Sequence, residues 1–389
     1  MDLDPTPDMQ TRYDHLAAFA RDRLAGDVAT RERELAFSHD GWKACAEEGV
    51  LGLPIPAEYG GAGLDPLTCA YLLEGLGRGC TDLGLLISIG AHLWAGALPV
   101  LRFGTPEQRQ RWLPGMCGGS TIAAHAITEP EAGSDSLAVQ ATARRDGDAY
   151  VLTGQKRFIT NGPIADVFIV YATINPALGF TGVTAFLVER DQPGLTITSR
   201  HEKMGLRTSP WAELTLDGCR VRERLGAEKQ GRKVFAVTMA WERALILAPL
   251  VGVMLRQIDE CVDHARRRRQ FGQHLGAFDP VAYRIAEMRR RAEAARWLTY
   301  RAAAQLRTDE TSLYSELAQL ETSEAAVANA LDAMQVFGGL GYTVGAEVER
   351  VLRDVLGTRI SSGTSDMQRS IIAGKMGLRQ ARRTSEAEV

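Results

Sequence analysis

Three blocks of contrasting periodicity predict a multidomain α+β protein: an N-terminal α-helical domain, a middle antiparallel β-barrel or sandwich domain, and a C-terminal four-helix-bundle domain. Apolar residues recur at three- and four-residue spacing over residues 1–123. Short β-rich runs separated by turn residues occupy 124–231, and helical spacing returns over 232–378. Residues 379–389 are polar and read as a frayed tail. A chain of 389 residues is long enough for two or three cores.

In the first block the segments 13–24, 41–48, 66–78 and 83–103 carry the helical period. Gly60, Gly61 and Gly63 mark one loop. Gly104, Thr105 and Pro106 mark another, with Thr105 suited to cap a helix and Pro106 to its first position. In the second block Ala149-Tyr150-Val151-Leu152, Val167-Phe168-Ile169-Val170-Tyr171, Ala185-Phe186-Leu187-Val188 and Leu214-Thr215-Leu216 have strand composition. Runs so short and so regularly punctuated suit a small barrel or sandwich. In the third block the segments 233–269, 279–305 and 312–337 are long, with continuous apolar stripes. They predict a bundle that is buried in part against another subunit.

Composition narrows the function. With 45 basic and 48 acidic residues, the formal net charge of -3 gives no support to nucleic-acid or anionic-membrane binding. The six cysteines are scattered and form no CxxC pair, which argues against a disulfide framework and a zinc site; no metal is expected. The opening Met1-Asp2-Leu3-Asp4 is acidic, unlike a secretory signal. The longest apolar run, 244–255, holds Pro249 and Gly252 and falls short of the ~20 residues a membrane span needs. The expectation is a soluble cytoplasmic protein.

Familiar nucleotide and hydrolase motifs are missing. Gly339-Leu340-Gly341 is followed by Val344 where a dinucleotide fingerprint needs its third glycine, and helical sequence precedes it. His201-Glu202 starts a zinc-protease pattern that Gly205 breaks, and neither a P-loop nor GxSxG occurs.

Five other segments, in order, resemble the acyl-CoA dehydrogenase family over nearly the whole chain. They are Ile127-Thr128-Glu129-Pro130-Glu131-Ala132-Gly133-Ser134-Asp135; Gly154-Gln155-Lys156-Arg157-Phe158-Ile159-Thr160-Asn161-Gly162; Arg268-Arg269-Gln270-Phe271-Gly272; Gln335-Val336-Phe337-Gly338-Gly339-Leu340-Gly341-Tyr342; and Arg353-Asp354 with Gly363-Thr364-Ser365-Asp366-Met367-Gln368-Arg369. The resemblance implies bound FAD, lying between the β domain and the last helical domain. On that basis Ile127, Thr128, Ser134, Phe158, Ile159, Thr160, Arg268, Phe271, Asp279, Gln335, Gly338, Gly339, Thr364 and Asp366 contact the cofactor. Thr128 and Thr160 would bond the polar edge of the flavin. Phe158, where the family often has Trp, would cover one ring face. Gly338 and Gly339 admit the pyrophosphate to the backbone, and Arg268 pairs with it from a neighbouring subunit. Asp279 replaces a glutamine that many members use against the flavin, so that contact is altered or lost.

Removing an α proton from a thioester needs a positioned base. Many members carry a glutamate just before the closing Gly-Thr, but Ser362 stands there. A subset typified by isovaleryl-CoA dehydrogenase places its glutamate on an earlier helix in a segment reading ER, and Trp241-Glu242-Arg243-Ala244-Leu245 is similar to it. Glu242 is therefore the expected catalytic base, among apolar neighbours that suit a raised pKa rather than a solvated ion pair. Ser134, Arg243, Ser362 and Gly363 are the expected substrate contacts, Ser362 through its backbone N–H alone. The implied reaction is α,β-dehydrogenation of a short or branched acyl-CoA, with hydride passing to flavin N5. Electrons would leave to an electron-transfer flavoprotein or to oxygen, and the assembly would be a dimer or tetramer. Carrier-protein-bound substrates, such as a prolyl thioester, present the same pantetheine arm and stay open. So does a flavoprotein oxidase, monooxygenase or non-catalytic homologue, suggested by Ser362 and Asp279.

Overall fold

The computed structural model describes residues 3–198 and 201–378; the polar tail at 379–389 lies outside the described residues. The first block folds as α1 (Pro7–Arg23), α2 (Val28–Glu34), α3 (His39–Glu47), α4 (Pro66–Gly79), α5 (Leu83–His92), α6 (Leu98–Phe103) and α7 (Pro106–Cys117). Side-chain oxygens start these helices. Thr6, Asp65 and Thr105 cap α1, α4 and α7, each just before a proline whose missing N–H costs nothing there. The Thr105 cap is a reciprocal box with Gln108. The segment 83–103 is one helical path interrupted by a π-helical turn, Leu93–Ala97. Leu98 N–H reaches back to Leu93 O, and Pro99 cannot supply the next donor.

The middle block contains β1 (Ala123–Ala126), β2 (Thr142–Asp146), β3 (Ala149–Thr160), β4 (Val167–Thr173), β5 (Val183–Glu189), β6 (Leu195–Ile197), β7 (Trp211–Val221) and β8 (Arg224–Leu225). They form one sheet in the order β6-β7-β3-β2-β4-β5-β8, with β1 also on β4. Most pairings are antiparallel as expected, but β1 and β2 meet β4 in parallel. β4 is buried along its whole length. Val167, Ile169 and Tyr171 face Trp112, Leu113 and Met116 of α7, while Phe168 and Val170 face Leu152, Leu214 and Leu216 inside the folded sheet. Double-sided burial accounts for its unbroken apolar run.

The third block begins with α8 (Gly231–Leu245) and α9 (Ala248–Arg267) rather than one helix over 233–269. Pro249 has no N–H to continue the ladder, so the chain turns at Ile246–Leu247. Then come α10 (Asp279–Gln305), α11 (Tyr314–Phe337), α12 (Glu347–Leu356) and α13 (Ser365–Lys375). Helices α8 to α11 pack together, and one continuous core joins them to the first block, from Leu72 and Trp94 to Met254 and Tyr300. Leu83–Phe103 and Gly231–Arg267 have the length and hydropathy of membrane spans, yet 89% and 72% of their most apolar windows are buried inside the protein. Their hydrophobicity is used for packing.

The two helical blocks meet where α4 crosses α9. A Cβ at Gly252 would stand 2.0 Å from Glu74 O, and one at Gly77 would stand 1.9 Å from Pro249 O. Backbone contact this close requires glycine on both helices. Gly252→Ala should therefore lower stability by ~1–3 kcal/mol, the usual range for overpacking, read as a fall in apparent Tm of the FAD-loaded protein. Gly133→Ala, in open space, should leave it unchanged. Equal melting of the two variants would mean that the crossing yields without cost.

Candidate active site

Glu242 sits near the C-terminal end of α8, on the stripe that also carries Val234 and Thr238, and is 9% exposed. Burial pushes its carboxyl above the ordinary glutamate range, while the Ser362 hydroxyl and the Arg243 guanidinium pull it back. Ser362 Oγ donates to Glu242 Oε1 at 2.5 Å. Among the described residues no other donor reaches this carboxylate.

Ser362 belongs to a tight reversal before α13. Its φ is 54° and that of Gly363 is 90°, two left-handed residues in succession. The first is costly for a residue with a side chain. Surrounding contacts hold it. Arg243 Nε donates to Ser362 O at 3.2 Å, and Gln368 Nε2 donates to Ser362 O at 3.0 Å and to Gly363 O at 2.9 Å. Arg243 also pairs with Glu316 of α11 at 3.1 Å, and Glu316 with Lys375 of α13 at 2.8 Å. The structure thus engages Arg243 as a clamp on the loop, its half-buried guanidinium held by the Ser362 carbonyl and the Glu316 carboxylate. Thr364 caps α13, accepting from Met367 N at 3.1 Å, and Asp366 lies exposed in its first turn, beside Arg369.

The two segments expected at the flavin lie side by side. Arg157 N donates to Thr128 O at 2.8 Å, joining the loop after β1 to β3. Ile127 and Ile159 are buried, while Thr128 and Thr160 are half-buried at the rim. Phe158 has a φ of 57° where the β3–β7 register slips, so its ring leaves the core. It is 43% exposed and packs against His201 and Trp211, with ring centroids 5.0 and 5.5 Å away. Ser134 is exposed in the loop that follows.

The remaining cofactor candidates stand elsewhere. Arg268 caps α9, and Phe271 tips a hairpin of Arg269–Gln270 on Gln273–His274 with 94% exposure. Asp279 opens α10, and Gln335, Gly338 and Gly339 close α11. All six are exposed, and nothing lies within 4 Å of a Cβ added at either glycine. At about 1.5 Å per residue, Gln335 lies roughly 28 Å along α11 from Glu316 and so from the Glu242 loop. The Glu242 loop and the exposed glycines thus stand at opposite ends of α11. The open glycines at the end of α11 and, in the β domain, a half-exposed polar rim with an outward aromatic ring suit a long, polar-ended flavin dinucleotide.

Two groups escaped the sequence analysis. Lys156 and Glu129 form a fully buried ion pair at 2.6 Å, and the carboxylate also accepts from Gln140 N at 2.6 Å and Ala141 N at 3.1 Å. Lys156 Nζ donates to Ile127 O at 3.2 Å as well. Burial lowers the lysine pKa, opposed by Glu129. The pair staples one flavin segment to the other. Its signal was present, one opposite charge in each of two neighbouring motifs. The second omission is the Ser362 hydroxyl, which the backbone-only expectation ignored.

Three family models match the chain: the acyl-CoA dehydrogenase N-terminal domain over residues 6–120, the middle domain over 124–219 and the C-terminal domain over 229–377. Fold and site together define an FAD-dependent oxidoreductase acting on CH–CH bonds. The chain belongs to the acyl-CoA dehydrogenase family. It is 44% identical to the L-prolyl-[peptidyl-carrier protein] dehydrogenase of Pseudomonas fluorescens over 375 residues, covering 95% of this chain and 98% of the relative. Among solved structures it is similar to the prolyl acyl carrier protein oxidase AnaB, with a TM-score of 0.95 and 43% identity over 96% of this chain and all of the other. It is also similar to PigA with FAD and proline, with a TM-score of 0.94 and 38% identity over 98% of this chain and all of the other.

Glu129→Gln would strand the Lys156 ammonium in a dry interior, a change that typically costs ~3–5 kcal/mol. The variant should show a lower apparent Tm and a reduced FAD-to-protein absorbance ratio. Full flavin content at wild-type affinity would show that the staple does not support the cofactor loop.

Proposed function

We propose that this protein desaturates the α,β bond of a prolyl thioester carried on the phosphopantetheine arm of a carrier protein. The observation that carries the chemistry is Glu242, a buried carboxylate held by one hydroxyl donor. The acyl group and its carrier are inferred from the prolyl-carrier relatives. A CoA thioester presents the same pantetheine arm, so the acyl-CoA reading shares every step below.

Glu242 takes the α proton. Burial makes it a stronger base than a solvated carboxylate, and its ionised form is kept accessible by Ser362 and Arg243. The Ser362 backbone N–H has no acceptor among the described residues, and in this reading it donates to the thioester carbonyl, where charge collects as the proton leaves. Arg243 and Gln368 keep that N–H in place by holding the carbonyl of the same residue. FAD, when bound, accepts the hydride from the β carbon. Thr128, Phe158 and Thr160 supply the near half of its site. In our reading Arg268, Phe271, Gln335, Gly338 and Gly339 of a second subunit supply the far half, which makes a dimer or a dimer of dimers the active form.

Anaerobic bleaching of the flavin by prolyl-loaded carrier protein, prolyl-CoA and a series of short and branched acyl-CoAs tests the substrate. Fast bleaching by the prolyl carrier with slow bleaching by acyl-CoAs is expected, and the reverse order would return the reading to acyl-CoA. Oxygen uptake in air, compared with reduction of an electron-transfer flavoprotein, identifies the electron acceptor.

Glu242→Gln keeps volume and removes the charge, so it should retain FAD and lose ~10²–10⁴-fold in flavin reduction. In the wild type kcat/KM should rise with pH through the elevated Glu242 pKa, because only the ionised carboxylate is a base. Arg268→Ala should emerge largely without FAD. Retention of stoichiometric flavin in that variant, or an FAD-loaded monomer in sedimentation, would remove the shared-site assignment.

A further inference from the structure

In the reaction as drawn above the Ser362 hydroxyl only favours the ionised base, yet it makes the one hydrogen bond to that carboxylate among the described residues. We infer that Ser362 is a positioning residue for Glu242: its hydroxyl pins Oε1 and leaves Oε2 as the oxygen that receives the α proton. The inference rests on the reading of Glu242 as the base.

Three observations carry it. First, the contact is direct, Oγ to Oε1 at 2.5 Å, and it is the one hydrogen bond to this carboxylate among the described residues. Without it the glutamate side chain could swing among staggered rotamers, whereas proton transfer from carbon needs one oxygen aimed at one atom. Second, the hydroxyl is itself immobile. The backbone that bears it is clamped by Arg243 from α8 and Gln368 from α13, and Gln319 of α11 reaches the preceding Ser361 O at 3.5 Å. Third, the residue stands at φ 54°, where glycine would be free of strain and serine is not. A side chain retained at such a position, with its oxygen on the base, points to use of that oxygen.

The electrostatic surroundings agree. The charged and titratable groups about Glu242 are Arg243, next in the chain; Tyr171 from β4; and, behind Arg243, Glu316 of α11 and Lys375 of α13, which pair with it in series. Tyr171 is neutral at working pH, because burial drives its pKa upward. Of the two groups favouring the ionised base, the Ser362 hydroxyl comes ahead of Arg243, and its removal should make Glu242 harder to ionise.

The test uses FAD-loaded holoenzyme and a prolyl thioester of pantetheine, with Ser362→Ala and Ser362→Gly compared across pH. Both variants lack the hydroxyl, but glycine also relieves the left-handed strain. The expected result is that the acidic limb of kcat/KM moves up by about one pH unit in both, the effect of losing one hydrogen bond to a charge. Plateau kcat should fall about tenfold with KM and flavin content held. A limb at the wild-type position in both variants would overturn the proposal, and so would a wild-type limb in Ser362→Gly alone, which would assign the effect to the backbone. Glu242→Gln, run alongside, separates the two levels. If it still bleaches the flavin, the base assignment falls and this proposal with it; if it is inert while the limb stays put, only the role of Ser362 is lost.

Discussion

A carboxylate taken out of water must share its charge with some donor, and the arrangement around α8 follows from that constraint. α8 packs one face against the sheet and the neighbouring helices, and its buried residues are mostly apolar, from Val234 through Met239, Ala240 and Trp241 to Leu245. Glu242 is the one charged residue among them. Its donor does not come from α8 or from either neighbour in sequence but from a loop 120 residues further on. That loop must hold a left-handed serine in place, which takes Arg243 and Gln368. Arg243 in turn is buried enough to need Glu316, and Glu316 is shared with Lys375. One ionisable group at the junction thus draws α8, α11 and α13 into a single polar chain.

The same helices set the scale of the cofactor site. α11 begins beside the Glu242 loop and ends at the glycines that form an open cradle. A rigid helix of this length keeps the two ends apart in every state of the chain. In the reading proposed above, the exposed Phe271 hairpin and α11 terminus are surfaces a second copy would complete. In the β domain the Lys156–Glu129 pair and the Arg157–Thr128 hydrogen bond lock the two segments expected at the flavin together.

Much of this was legible from residues alone. Cap chemistry placed the start of α7, since Thr105-Pro106 is a local signal that needs no tertiary partner. The apolar run Val167-Phe168-Ile169-Val170-Tyr171 marked a strand, and the structure shows it buried on both faces. Glu242 stood out as an acidic residue within an apolar stripe, inside a segment similar to a known one. Less visible were the π-helical turn in 93–97, the parallel placement of β1, and the break between α8 and α9, where Pro249 outweighed continuous apolar periodicity.

The sequence by itself determined the order of helices and strands and the family, and it singled out Glu242 as the candidate base, because period, caps and motifs are read along the chain. Only the tertiary structure decided what Glu242 touches, that Arg243 clamps a loop, and that the residues expected at the cofactor stand in separate places within one chain. Those depend on groups 73 to 120 residues apart meeting across α8, α11 and the loop before α13, and on the length of a helix between two sites. Hydrogen bonds of that kind depend on distance in space, and no local pattern of residue types encodes it.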